Sequence, residues 1–217
     1  MITTRELSYA YPGQKEMTFP DIHCADNEHA LILGPSGTGK TTFLHLLGGL
    51  LSPSKGEIII GGTPVHTLKG KHLDKFRGQH IGLIFQRPHF IKSINAVENL
   101  LLAQHLSGIK PDEQHAHHLL ERLSIPHKSK SHTYTMSIGE QQRLAIARAL
   151  INKPTIILAD EPSSALDDEN CIRMITLLQQ IASEEKSNLI VVTHDSRIKN
   201  IIDKKIYLND ERSVTKE

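Results

Sequence analysis

Four short runs dense in Leu, Ile and Val constrain this chain most: Ala30–Leu33, Ile81–Phe85, Thr155–Ala159 and Leu189–Thr193. None alternates apolar with polar residues, as a strand with one wet face does. Continuous apolar runs of this length fit strands buried on both faces, the condition of a parallel sheet covered by helices. Between them, Thr41–Leu51, Asp112–Leu123, Ile138–Asn152 and Asn170–Ser183 carry apolar residues three and four apart, the helical spacing. The pattern predicts an α/β fold. Thr3–Tyr9 with Met17–His23, and Gly56–Val65, read as shorter strands of a more exposed antiparallel part. Lys204–Val214, turning at Asn209 and Asp210, reads as a closing hairpin. At 217 residues the chain can bury one substantial core and is short for two ordinary domains.

Open α/β sheets bind ligands at the carboxyl ends of their strands, and all four ends here carry chemistry. The first run leads into Gly34, the second into Gln86, the third into Asp160 and Glu161, the fourth into His194 and Asp195. The first loop, Gly34-Pro35-Ser36-Gly37-Thr38-Gly39-Lys40-Thr41, matches G-x-x-x-x-G-K-[ST] between a strand and a helix. Its glycines let backbone N–H groups turn inward, so that the loop and a helix N-terminus cradle phosphate oxygens. Lys40 adds a mobile positive charge, and Thr41 a hydroxyl suited to Mg²⁺. After the third run, two consecutive carboxylates reach the same edge. Asp160 is placed to hold the shell of a metal ion, and Glu161 to orient and partly deprotonate an attacking water. Ser137 and Glu140, at the head of the Ile138 helix, make an S-x-x-E capping box. A capped helix is also an anion site, and local physics alone does not separate the two uses.

Composition excludes several classes. Lys plus Arg is 25 and Asp plus Glu is 24, a net charge of +1 with His neutral. No polyelectrolyte attraction to nucleic acid or anionic lipid follows. No apolar run approaches the ~18 to 20 residues that span a bilayer, so no direct membrane insertion is expected. Met1–Tyr11 is polar and strand-like without an apolar h-region, which predicts no secretory signal and a cytoplasmic location. Cys24 and Cys171 have no metal-ligand or disulfide spacing and read as two small buried thiols. Of the 14 histidines, His115, His117 and His118 share one predicted helix and read as its solvated face, with no metal assigned.

Taken together, the Gly34–Thr41 loop, Gln86, the Ser137–Arg143 segment, the Asp160-Glu161 pair, Ser164–Asp167 and His194 resemble the nucleotide-binding domain of ABC transporters, in order and spacing over nearly the entire chain. The resemblance implies a P-loop (RecA-like) parallel-sheet core with an antiparallel β subdomain and an inserted α-helical subdomain. One domain, 1–217, would comprise a nucleotide-binding core at 1–86 and 153–217 and a helical part at 87–152 that touches a membrane partner. It also implies ATP and Mg²⁺ as ligands and a head-to-tail homodimer around two ATP molecules. Carried over residue by residue, nucleotide contacts fall on Tyr11, which looks like the adenine-stacking aromatic, on Gly34, Pro35, Ser36, Gly37, Thr38, Gly39, Lys40, Thr41 and Thr42, and on Ser137, Gly139, Glu140 and Asp167 of the opposite protomer. Metal contacts fall on Thr41, Gln86 and Asp160, and catalytic roles on Glu161, His194, Gln86 and Lys40. His194 resembles the γ-phosphate switch and Asp167 the dimer-contact aspartate.

Two departures stand out. Ile138 occupies the first of two family glycines; if that position needs positive φ, a β-branched residue is strained there and hydrolysis slow, and the alternative is a compensated geometry without that strain. Leu44–Leu50 (LHLLGGL) and Arg77–Gln86 (RGQHIGLIFQ) resemble the bacterial lipoprotein-releasing and macrolide-exporting subfamily, whereas Ser164-Ala165-Leu166-Asp167 replaces its usual Gly-Asn-Leu-Asp. The compact length, with no regulatory domain after Val214, also resembles those export-type subunits. The resemblance thus implies ATP-driven export or release of a hydrophobic or peptide-like substrate through separate integral-membrane permease subunits, on the cytoplasmic face of the inner membrane. Residues Phe90–Asn99 are where a permease helix is expected to dock. The competing reading is a soluble ABC-type ATPase for cofactor assembly or macromolecular remodelling with cytosolic partners.

Overall fold

The computed structural model of the protein describes residues 1–162 and 167–208. Its first half runs β1 (Ile2–Tyr9), β2 (Met17–Thr18), β3 (His23–Cys24), β4 (His29–Leu33), α1 (Lys40–Leu47), β5 (Lys55–Ile60), β6 (Thr63–Pro64), α2 (Gly70–His80) and β7 (Ile81–Ile84). The second runs α3 (Ala96–Leu106), α4 (Glu113–Arg122), α5 (Ile138–Leu150), β8 (Ile156–Asp160), α6 (Asp168–Glu184), β9 (Asn188–Thr193) and β10 (Lys204–Tyr207).

The four apolar runs supply β4, β9, β8 and the edge strand β7 of one all-parallel sheet, in the order β10-β4-β9-β8-β7. Their lack of alternation has a simple cause, because successive side chains enter two different cores. Leu31, Leu33, Ile157, Ala159, Leu189 and Val191 face a core shared with residues of α3, α4, α5 and α6. Ala30, Ile32, Ile156, Leu158, Ile190 and Val192 face a second core, made with Phe43, Leu44, Leu46 and Leu47 of α1 and with Ile2, Leu7, Ile58 and Ile60 of the other sheet. Each Leu, Ile, Val or Phe side chain so buried contributes about 1.5–3 kcal/mol against chain entropy. The other sheet is antiparallel, with β1 pairing β2, β3 and β5, and β5 pairing β6. It packs its inner face on α1 and so closes over the flank of the loop at 34–41.

The structure departs from the sequence expectations at six places. α1 stops at Leu47 because Gly49 takes φ 62° and turns the chain. Met17–His23 divides into β2 and β3. α2 and α3 are additional helices. In α2 only Leu73 and Phe76 reach a core, too few apolar residues to show a period. α3 begins inside the expected docking loop, with Asn95 and Glu98 forming a capping box. Lys204–Tyr207 pairs parallel to β4, and the turn at Asn209–Asp210 with the rest of the expected hairpin lies outside the described residues. Both cysteines are free and buried. His115 is not on a solvated face: it is half-buried, its Nε2 has no partner, and burial holds its ring below the ordinary 6.5.

Candidate functional site

The carboxyl ends of β4, β7, β8 and β9 bring the chemically loaded residues together. One cleft of about 450 Å³ is lined by Tyr11, Gln14, Met17, Ser36, Gly37, Gly39, Lys40, Thr41, Thr42, Gln86, Glu161 and His194. The loop after β4 needs glycine for stated reasons. A Cβ on Gly34 would lie 2.6 Å from the Leu208 carbonyl oxygen and 2.9 Å from Thr38 Oγ1, and Gly37 and Gly39 have φ of 85° and 86°. Gly39 caps α1 in this left-handed conformation, which points the first helical N–H groups at the cleft.

Lys40 is buried, with its ammonium donating to the carbonyls of Gly34 at 2.8 Å and Pro35 at 2.7 Å. The Thr38 hydroxyl donates to the Pro35 carbonyl at 2.9 Å, so Gly34, Pro35 and Thr38 shape the loop from behind. Thr42, also buried, lies 3.2 Å from the Tyr11 hydroxyl, and Tyr11 packs edge-on against Tyr9 with ring centroids 4.9 Å apart. The antiparallel sheet thereby fixes an aromatic ring at the mouth of the loop.

Thr41 donates its hydroxyl to Asp160 Oδ1 at 3.3 Å. Burial pushes the Asp160 carboxyl above its ordinary 3.8; the Thr41 bond opposes this, and the neighbouring Glu161 charge adds to it. A buried carboxylate beside a hydroxyl, next to a phosphate cradle, is the oxygen donor set that a hard divalent cation takes. The chain leaves β8 at Glu161 with φ 47°, a conformation that costs a non-glycine residue about 1–3 kcal/mol and aims its side chain back across the sheet. The Glu161 carboxylate accepts from Thr193 Oγ1 at 2.9 Å and from the His194 backbone N–H at 3.1 Å, and His194 Nδ1 lies 2.5 Å from Oε1. Gln86, exposed after β7, completes the rim.

Ser137, Gly139, Glu140 and Asp167 are not brought to this cleft. Ser137 caps α5, its Oγ accepting from the Glu140 N–H at 3.3 Å, while Glu140 Oε2 accepts from the Ser137 N–H at 2.8 Å. These bonds, with Lys128 3.3 Å away, hold the Glu140 carboxyl at about 2, well below its ordinary 4.5. Asp167 is exposed and caps α6 by accepting from Asn170 N–H, which lowers its carboxyl. Ser164, Ala165 and Leu166 lie outside the described residues. Ile138, 65% exposed, is the first residue of α5 and is not among the positive-φ positions. The backbone strain expected from replacing a glycine there is absent, because the residue needs only helical geometry.

Sequence reasoning missed several participants. Gln14 and Met17 line the cleft from the β1–β2 turn, a contact no local pattern announces. Thr193 was read as the end of an apolar run and instead holds Glu161. The loop after Gln86 is braced by Asn99, whose amide donates to the carbonyls of Ile91 at 3.2 Å and Asn95 at 2.9 Å, and by Arg148, which sits 4.8 Å over the Phe90 ring and donates to the His89 carbonyl. The Asn95-x-x-Glu98 spacing was the available signal for this corner.

A five-stranded parallel sheet with a G-x-x-x-x-G-K-T loop at one strand end and an Asp-Glu pair at another defines a P-loop nucleoside triphosphatase. Residues 20–164 match the ABC transporter family. The lipoprotein-releasing system ATP-binding protein LolD 2 of Chlorobaculum tepidum is 38% identical over 98% of this chain and 91% of its own length. The solved dimeric structure of MJ0796, a bacterial ABC transporter cassette, superposes with a TM-score of 0.87 at 31% identity, over 96% of this chain and 94% of that one. A post-hydrolysis dimer of the same cassette, bound to ADP and Pi, gives a TM-score of 0.86 at 30% identity over 98% and 97%. The chain belongs to the ABC transporter family, as an ATP-binding subunit that hydrolyses ATP in coupling to transport.

Proposed function

We propose that two copies of the chain close head to tail around two Mg-ATP molecules and drive export or release of a lipoprotein or similar hydrophobic, peptide-like cargo through separate permease subunits. One observation carries this. The cleft gathers the Gly34–Thr41 loop, Tyr11, Gln86, Glu161 and His194, whereas the exposed Ser137 cap and Asp167 stand outside it at solvent-facing helix N-termini. A second copy supplies what each half lacks.

In this reading Tyr11 stacks on adenine, the loop N–H groups from Ser36 to Thr42 surround the phosphates, and Lys40 exchanges its Gly34 and Pro35 carbonyls for phosphate oxygens. Thr41, Asp160 and Gln86 would hold Mg²⁺, which would neutralise charge on the phosphates. Glu161 orients and deprotonates the attacking water, and His194, already on that carboxylate, turns to the γ-phosphate. Ser137, Gly139, Glu140 and Asp167 serve the partner's nucleotide. The chain acts as one domain, with the helical part at 87–152 as the arm to the permease. The braced loop after Gln86 and Ile91, 51% exposed within it, support docking there. No helix among the described residues is long and apolar enough to cross a membrane; attachment to the cytoplasmic face of the inner membrane is through the permease. The cargo follows the name of the Chlorobaculum tepidum relative and the 44–50 and 77–86 segments.

The test is tagged Glu161→Gln chain incubated with Mg-ATP. Size exclusion with light scattering should show a dimer that ADP does not support, and detergent pull-down from native cells should recover a polytopic permease. A monomer under both nucleotides refutes the composite site. Recovery of soluble partners alone refutes the permease.

A further inference from the structure

The Glu161 carboxylate is held from the β9 side by a chain of bonds that continues past it. Thr193 Oγ1 accepts the Asp195 backbone N–H at 2.9 Å. An ionised carboxylate only accepts, so the Thr193 hydroxyl proton lies on Glu161 Oε2, also 2.9 Å away. Thr193 is fully buried. Asp195 is itself clamped. Arg197 donates from Nε to both of its carboxylate oxygens at 2.9 and 2.8 Å and from its backbone N–H to Oδ1 at 2.9 Å, and the Cys171 thiol lies 3.6 Å from Oδ2. The other end of the guanidinium reaches Asp168 Oδ1 at 2.6 Å. Asp168 is the first residue of α6 and follows Asp167.

We propose that Thr193 and Arg197 are positioning residues for ATP hydrolysis: Thr193 aims the Glu161 carboxylate, and Arg197 anchors that aim to the start of α6 through Asp195 and Asp168. The inference rests on the reading of Glu161 as the base. The φ of 47° at Glu161 sends its side chain across the sheet, and the bonds from Thr193 Oγ1 and the His194 N–H then fix where the carboxylate sits. A base displaced by a fraction of an ångström loses rate without losing substrate affinity. The Arg197–Asp168 pair is a surface contact, with Asp168 85% exposed, and such pairs add little to stability. Its removal should therefore register in turnover more than in folding.

Four full-chain variants test this by steady-state ATPase kinetics and thermal melting: Glu161→Gln, Thr193→Val, Thr193→Ser and Arg197→Gln. Thr193→Val keeps the shape of a strand that already holds Val191 and Val192. The expected result is a kcat fall of roughly 10-fold for Thr193→Val with KM for ATP within about 2-fold, near-full activity for Thr193→Ser, and a fall of roughly 3-fold for Arg197→Gln with KM again within about 2-fold, its melting temperature also falling because Asp195, 12% exposed, loses its guanidinium partner. Wild-type kcat in Thr193→Val beside an inactive Glu161→Gln overturns the positioning role alone. Equal losses in Thr193→Val and Thr193→Ser assign the effect to packing and overturn it too. Unchanged kcat in the partly exposed Arg197→Gln, which does not depend on a buried substitution, removes the anchor to α6. Retained hydrolysis in Glu161→Gln overturns the reading of the base, and the inference with it.

Discussion

The N-termini of α1 and α5 both suit an anion, and they are built differently. The N-terminus of α1 lies under a glycine loop, with Lys40 and Asp160 buried behind it and Glu161 held in a left-handed backbone conformation beside it. The N-terminus of α5 is a solvent-facing capping box, Ser137 with Glu140, whose charge partner Lys128 is itself partly exposed. The first is costly to assemble and is paid for by the two cores that meet at the sheet, so it is ready before any partner arrives. The second costs the fold nothing, since capping stabilises α5 by itself. Catalytic preorganisation in this chain is concentrated on one side, and the other side only has to be presented.

The sharpest way to break that comparison is at Glu161. Glu161→Gln keeps the side-chain volume and the bond from Thr193 but removes the base, and should slow hydrolysis at least ~100-fold while Mg-ATP still binds. Single-turnover hydrolysis with radiolabelled ATP checks it; a rate within a few-fold of wild type would show that the prepared side is not where the water is activated. The next effect belongs to Lys40. A charge-assisted hydrogen bond contributes about 1.5–3 kcal/mol, so Lys40→Ala should weaken ATP binding by roughly 10- to 150-fold in titration calorimetry. An unchanged affinity would mean that Lys40 stays on the Gly34 and Pro35 carbonyls when nucleotide is present.

The presented side should respond in stability and, through the dimer, in rate. Ser137→Ala removes one half of the box and should cost about 1 kcal/mol in urea unfolding. The pH dependence follows from Glu140, whose folded-state carboxyl sits at about 2 against an ordinary 4.5. A depressed carboxyl contributes stability that is fully present above 4.5 and is lost as pH falls from there toward 2. Glu140→Gln should accordingly melt below wild type at pH 7, and the two curves should converge between pH 4.5 and 2. Curves separated by a constant amount across that window would assign the effect to packing instead of charge.

The same asymmetry governs what the sequence could disclose. The parallel sheet was legible because both faces of β4, β8 and β9 are buried, which leaves an uninterrupted apolar run. The Gly34–Thr41 loop was legible because close backbone approach admits few residue types. α2 was not legible, since Leu73 and Phe76 are its only core-facing apolar residues, and α3 was passed over although Asn95 and Glu98 mark its start. Thr193 was hidden for another reason: a hydroxyl at the end of a Val-rich strand looks like strand composition, and only the fold shows it aimed at a carboxylate 32 residues away in the chain. Contacts made across the sheet between different strand ends leave no local trace.

Ile138 gives the smallest expected effect and the finest test of the presented side. Its side chain is 65% exposed at the first position of α5, with ordinary helical backbone geometry. Gly139, next to it, has nothing within 4 Å of the position a Cβ would take. If backbone strain at Ile138 slowed hydrolysis, Ile138→Gly would relieve it and raise both stability and kcat. The geometry predicts the reverse for stability: glycine has more freedom to lose at a helical position, so Ile138→Gly should destabilise by roughly 0.5 kcal/mol. For kcat it predicts no gain from relieved strain in the isolated chain, so any change should come only where α5 meets the second copy. The two are separated by comparing unfolding midpoints, which report the single chain, with kcat measured over a range of protein concentration. A kcat change that follows dimer formation and leaves the unfolding difference untouched places Ile138 at the interface. A variant more stable than wild type would restore strain as the cause and end the contrast between a built half-site and a merely presented one.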